Sequence, residues 1–178
     1  MSSLTRRTKM ALVFAVISSL VLGFCLWLYG KHEAPASVGD MAPNITAVTT
    51  SGNAFALNSL RGQTVVLDFF TPWCAPCIQE TPDLIHFTKK YEGKVHVVLI
   101  DRGDGAGFVR DYVQQYHTPS FMTVLINPND NWSLQYGVTG QPETFFITPS
   151  GKIVRHTVGP LTEQSLAQYA ADAGMKTD

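Results

Sequence analysis

The pentapeptide Trp73-Cys74-Ala75-Pro76-Cys77 constrains this chain more than any other feature. It follows the apolar run Val65-Val66-Leu67-Asp68-Phe69-Phe70 and precedes Ile78 to Tyr91, whose pattern predicts a helix. A strand therefore feeds a helix through two cysteines in Cys-x-x-Cys spacing. Both sulfurs fall within the first helical turn, where a dithiol and a disulfide each fit. Unpaired backbone N–H groups and the positive end of the helix dipole stabilise a thiolate on Cys74. Pro76 removes an N–H that has no helical partner at that position. Pro82, further along, is expected to kink the helix.

Zinc is the competing use of such a pair. A structural zinc site needs about four ligands, and the chain has no second Cys-x-x-Cys and no His-x-x-x-His. The third cysteine, Cys25, lies in an apolar N-terminal stretch. His32, His86, His96, His117 and His156 show no metal-ligand spacing and read as surface or strand residues. No metal and no cofactor is expected. A disulfide-stapled domain would carry more cysteines than the two outside the apolar stretch, so the pair reads as catalytic.

Met10 to Tyr29 contains no charged residue and is almost wholly apolar. As a helix it reaches roughly 30 Å, the thickness of a bilayer core. Arg6, Arg7 and Lys9 precede it, which predicts a cytoplasmic N-terminus and an outward-facing remainder. The run is longer than a signal-peptide core, so a retained anchor is favoured over a cleaved signal. The expected organisation is a cytoplasmic segment 1–9, a membrane span 10–29, a linker 30–40 and an extracytoplasmic domain 41–178. Within the linker, the ten residues from Lys31 to Asp40 reach at most about 35 Å, which keeps the domain close to the membrane surface. The formal charge of −1 over 178 residues carries no basic excess that would suit nucleic acid.

In the domain, Ile45 to Thr50 and Ala54 to Leu57 flank Ser51-Gly52-Asn53 and predict a hairpin. Val65 to Phe70 and Val95 to Ile100 read as buried strands. Phe108 to Tyr116 reads as helix, Thr123 to Ile126 as strand, Thr144 to Ile147 with Ile153 to Thr157 as a second hairpin, and Thr162 to Ala173 as a closing helix capped by Thr162.

These residues resemble the thioredoxin superfamily, and more closely its membrane-anchored ResA, TlpA and CcmG/DsbE branch. The resemblance covers nearly everything from Met41 to Ala173. It is carried by Asp68 to Cys77 with Glu80 and Pro82, by Tyr136-Gly137-Val138-Thr139-Gly140-Gln141-Pro142-Glu143-Thr144-Phe145-Phe146-Ile147, and by Gly151-Lys152-Ile153. It implies a thioredoxin-like α/β fold, a central mixed sheet flanked by helices. An N-terminal β-hairpin and a central helix-strand insertion over Phe108 to Ile126 would elaborate it.

The resemblance also implies roles. Cys74 is the expected nucleophile and the more exposed sulfur; Cys77 is the resolving thiol. Asp68 is linked to proton transfer at the inner thiol, though asparagine is common there in the ResA-like group. Glu80 tunes thiol acidity and proton traffic. Pro142 matches the superfamily's cis-proline, which leaves the backbone of Gln141 free to pair with an extended substrate segment. Glu143 is expected to complement a basic or haem-site peptide, and Trp73 to shield the disulfide and meet partners.

The implied activity is thiol–disulfide exchange, with apocytochrome c as substrate and a membrane thiol carrier of the CcdA or DsbD type as electron donor. A general envelope disulfide reductase or oxidase is the alternative. A copper-binding protein of the Sco type would want a wider cysteine spacing and a partnering histidine. A peroxidase is disfavoured by the paired cysteines.

Overall fold

The computed structural model describes residues 6–29 and 34–177. The backbone divides into two units, Met1–Ala34 and Pro35–Asp178. The first five residues, positions 30–33 of the expected linker and His32 lie outside the described residues.

In the first unit, helix α1 (Arg6–Tyr29) holds the apolar stretch. Within it Arg6–Trp27 has a mean hydropathy of 2.4 and is long and apolar enough to cross a membrane. The hydrophobic side chains from Met10 to Trp27 are exposed, and so is Cys25.

In the second unit, strands β1 (Thr46–Val48) and β2 (Ala54–Ala56) pair as the expected hairpin. A short 3-10 turn at Leu57–Leu60 leads to β3 (Thr64–Phe70). Helix α2 (Ala75–Lys90), β4 (Val95–Asp101), α3 (Ala106–Tyr116), β5 (Thr123–Leu125), α4 (Asn131–Tyr136), β6 (Glu143–Ile147), β7 (Ile153–Val158) and α5 (Glu163–Asp172) follow. The main sheet runs β5-β4-β3-β6-β7. β3 pairs in parallel with β4, and β4 with β5, while β6 and β7 join antiparallel. This is the thioredoxin-like α/β plan, with α3 and β5 as the insertion.

β3 is the central strand, and all seven of its residues are buried. That explains its unbroken apolar run: both faces are covered. Side chains alternate across a strand. Val66 and Phe70 therefore join one core, with Leu84 and Phe87 of α2, Tyr112 of α3 and Leu166 of α5. Val65, Leu67 and Phe69 join another, with Ile45, Tyr136, Phe145 and Ile153. By the same alternation Asp68 shares the face of Val66 and Phe70, the face that carries the two cysteines.

Helix α2 runs on through Pro82 to Lys90, so the proline does not end it. Thr162 caps α5 as expected, its hydroxyl accepting the Ser165 N–H at 3.2 Å. Helix α4 is an element the sequence reading lacked. It buries Tyr136, whose hydroxyl donates to the Pro43 carbonyl at 2.6 Å.

Candidate active site

Cys74 stands at the N-cap of α2 with extended backbone (φ −72°, ψ 117°). Its sulfur accepts the Cys77 N–H at 3.3 Å, and its thiol lies 3.7 Å from the Gln141 carbonyl oxygen as donor. Both cysteines are free thiols. Cys74 is 6% exposed and Cys77 3%, so the outer sulfur is barely more accessible than the inner one. Burial pushes the Cys77 thiol well above the ordinary cysteine range, and the hydrogen bond with Cys74 adds to it.

Two buried carboxyl groups belong to the same environment. Asp68 Oδ2 accepts the Thr144 hydroxyl at 2.9 Å, and Oδ1 has no partner among the described residues. Burial pushes Asp68 up to about 7, with the Thr144 hydrogen bond pulling the other way. Glu80 Oε1 accepts the Leu161 N–H at 2.8 Å, and its Oε2 likewise has no partner there. Burial, and next the charge of Asp68, push Glu80 up to about 9. Burial thus favours the neutral, protonated form of both carboxyls. Thr81 donates to the Cys77 carbonyl at 2.8 Å and bonds the Tyr112 hydroxyl at 2.7 Å, which ties the floor of the site to α3.

Trp73 is 64% exposed. Its indole N–H donates to Asp104 Oδ1 at 2.6 Å, and the Asp104 N–H is held in turn by the buried carboxyl of Asp101. Burial pushes Asp101 up to about 6. Beside Trp73 a groove of about 140 Å³ is lined by Pro72, Phe108, Asp111, Tyr112 and Gln115. The Gln141-Pro142 bond is cis. The structure therefore brings Cys74, Cys77, Asp68, Glu80, Trp73, Gln141 and Pro142 to one end of the sheet.

Glu143 is a correction. The sequence reading turns it toward a basic or haem-site peptide, but its side chain is fully buried. Alternation on β6 puts Thr144 on the dithiol face and Glu143 on the other. Its Oε1 accepts the N–H groups of Thr139 (2.9 Å) and Gly140 (2.6 Å), and Oε2 meets His156 Nε2 at 2.7 Å. His156 stacks on Phe145 at 4.1 Å. Glu143 is an internal brace of the loop before Pro142. Burial would raise its pKa, but the N–H donors from Thr139 and Gly140, with His156, outweigh burial and hold it below its ordinary value. A depressed carboxyl contributes stability that is present above the unfolded value and lost as pH falls through the folded one. Glu143→Gln is therefore expected to flatten the acid limb of the stability curve below the ordinary glutamate value of 4.5. Urea midpoints at stepped pH would show it, and an unchanged acid limb would refute it.

Arg102, Thr144, Tyr112 and Leu161 are site residues the sequence reading missed. For Arg102 one signal was available: a charged residue just past the carboxyl end of an apolar strand, where α/β sheets build their sites. Among the described residues no group of three or more His, Cys, Asp or Glu is placed to hold a metal ion.

The AhpC/TSA family pattern matches residues 38–156. The thiol-disulfide oxidoreductase ResA of Bacillus cereus is 30% identical over 167 residues, spanning 90% of this chain and 95% of its own. ResA of Bacillus subtilis is 33% identical over 135 residues, covering 75% of this chain and 74% of that one. The crystal structure of a thiol:disulfide interchange protein DsbE from Chlorobium tepidum superposes with a TM-score of 0.70 at 30% identity, over 77% of this chain and 97% of that one. Sequence likeness runs through the whole folded unit, fold likeness does too, and the Cys74–Cys77 pair sits at the head of α2. The chain therefore belongs to the AhpC/TSA family of thioredoxin-like proteins and, within it, to the ResA-type thiol-disulfide oxidoreductases.

Proposed function

We propose that this oxidoreductase works as a reductant on the outer face of a bacterial cell membrane. It keeps the haem-binding cysteines of apocytochrome c reduced and is itself recharged by a membrane thiol carrier of the CcdA or DsbD type. The observation that carries the direction is the surroundings of Cys77. Burial first, then the hydrogen bond with Cys74 and the charges of Cys74 and Asp68, favour the protonated thiol over the thiolate. A strong oxidant such as DsbA owes its potential to a stabilised reduced form with a low thiol pKa; this site is built the other way. The Cys-x-x-Cys-His substrate is supported by the likeness to ResA and DsbE proteins. Arg6, Arg7 and Lys9 at the start of α1 support a cytoplasmic N-terminus.

The exchange runs in two displacements. The Cys74 thiolate attacks one sulfur of the partner disulfide, forming a mixed disulfide and releasing one partner thiolate. Cys77 then loses its proton to Asp68 and attacks the Cys74 sulfur. That step forms the Cys74–Cys77 disulfide and releases the second partner thiolate, which takes up a proton. Two electrons pass from the chain to the partner. Glu80, protonated throughout at neutral pH, limits negative charge around the reacting sulfurs. Trp73 and the Gln141 backbone receive the substrate segment on either side of Cys74.

The test is the reduction potential of the Cys74–Cys77 couple in the detergent-solubilised chain, equilibrated with thiol buffers. A value at or below about −270 mV is expected. An oxidised Cys-x-x-Cys-His peptide should be reduced about tenfold faster than a scrambled peptide of equal length, a discrimination of about 1.4 kcal/mol. A potential near −120 mV, roughly that of DsbA, would overturn the direction, and equal rates would overturn the substrate.

A further inference from the structure

We propose that Arg102 is a positioning residue for polypeptide substrates: it holds Gln141 so that the Gln141 backbone is presented to an incoming extended segment. The inference rests on the chain exchanging disulfides with polypeptides, and it stands whether or not apocytochrome c is among them.

Arg102 follows β4, on the loop that leads to α3. Its N–H donates to the Phe70 carbonyl at 3.0 Å, at the end of the strand that delivers the two cysteines. Its guanidinium reaches across to the loop before Pro142. Nη1 donates to the Gly140 carbonyl at 2.9 Å and to the Gln141 side-chain Oε1 at 2.8 Å. Nε donates to Ser133 Oγ at 3.2 Å, and Nη2 pairs with Asp130 Oδ2 at 3.1 Å. Asp130 also accepts the Ser133 hydroxyl, so the head of α4 backs the guanidinium. One side chain, 16% exposed, thus ties the end of β4 to both the head of α4 and the loop before Pro142.

The loop is held from both sides. Glu143 takes the N–H groups of Thr139 and Gly140, and Arg102 takes the Gly140 carbonyl and the Gln141 side chain. With its side chain engaged, Gln141 turns its backbone to the dithiol. Its carbonyl oxygen lies 3.7 Å from the Cys74 sulfur, and its N–H has no partner among the described residues. An extended substrate segment that brings its disulfide to Cys74 would find that N–H waiting. Only a planar fork serves four acceptors at once; a lysine ammonium is a single point on a flexible stem. A small disulfide has no backbone to pair, so it gains little from the arrangement.

The experiment uses the full chain in detergent, with insulin as polypeptide disulfide and hydroxyethyl disulfide as the small one. The readout is the ratio of kcat/KM for the two substrates, with the KM and kcat parts resolved. Arg102→Lys is expected to lower that ratio about tenfold, the scale of one charge-assisted hydrogen bond lost, through a rise in the insulin KM. Gln141→Met, similar in shape but without the acceptor oxygen, should lower it in the same sense. The double variant should be no worse than the worse single one, because both break one interaction. An unchanged ratio in either variant, or additive losses in the double, would overturn the proposal. Should Arg102→Lys fail to fold, Gln141→Met decides alone by the same ratio. Insulin carries no Cys-x-x-Cys-His sequence, so failure of the cytochrome reading leaves this test intact.

Discussion

Cys74→Ser is expected to abolish turnover of disulfide substrates, with a loss of at least about a thousandfold, while leaving the fold in place. Serine is among the best N-cap residues. Its hydroxyl can accept the Cys77 N–H that the Cys74 sulfur accepts now, so helix α2 keeps its cap and the loss is chemical. Cys77→Ala is expected to behave differently. The first displacement needs only Cys74, so the variant should still attack a partner disulfide. It then lacks the thiol that resolves the adduct, and stable mixed disulfides should accumulate. Non-reducing gels and mass spectrometry after mixing with oxidised peptide would detect them. Turnover surviving in Cys74→Ser, or adducts absent from Cys77→Ala, would reverse the assignment of the two sulfurs.

Glu80→Gln is expected to make the reduced chain more stable, by a margin that widens as pH rises. Glu80 is pushed from an ordinary value of 4.5 up to about 9. A carboxyl whose folded pKa is raised binds its proton more tightly when folded. Its stability contribution is fully present below the unfolded value and is lost as pH rises toward the folded value. At pH 7 the deficit is on the order of 3 kcal/mol. Glutamine removes that dependence and keeps an oxygen for the Leu161 N–H, which Glu80 accepts at 2.8 Å. The advantage of the variant should therefore grow from pH 5 to pH 8, read from urea midpoints of the reduced chain. Exchange at neutral pH should stay close to that of the unsubstituted chain, because glutamine is as neutral as the protonated carboxyl, and the pH–rate profile should lose the fall that ionisation of Glu80 brings at alkaline pH. A stability difference that does not vary with pH would show that Glu80 is not a buried acid.

The chemistry was legible where neighbours in sequence are neighbours in space. Cys74, Cys77 and Glu80 lie within two turns of one helix, and an unbroken apolar run before them reads directly as the buried strand β3. Asp68 stood out because a charge is out of place in such a run, and alternation along β3 sends it to the dithiol face. Glu143 was misread because its neighbours in sequence say nothing of its surroundings. The loop N–H groups lie three and four residues before it, and His156 thirteen residues after. A charged residue opening a strand reads as surface when those donors are invisible. Arg102 escaped for the same reason, its side-chain partners lying 28 to 39 positions away. Helix α4 escaped on length: six residues show no full amphipathic period.

The sheet order has one more consequence. β3, β4 and β5 run in parallel, so their carboxyl ends meet at the same rim, and β6 starts there in the opposite sense. Cys74, Arg102, Asp130 and Gln141 each belong to a loop on that rim. The other rim carries the turns around Gly62, Gly93 and Pro149-Ser150-Gly151, and none of the reacting groups. Evolution can thus redraw partner choice by rewriting four short connections while the strands between them stay as they are. Substitutions at the opposite end act on turn geometry and stability, as at Gly62, Gly93 and Gly151 with their positive φ, and leave electron transfer alone.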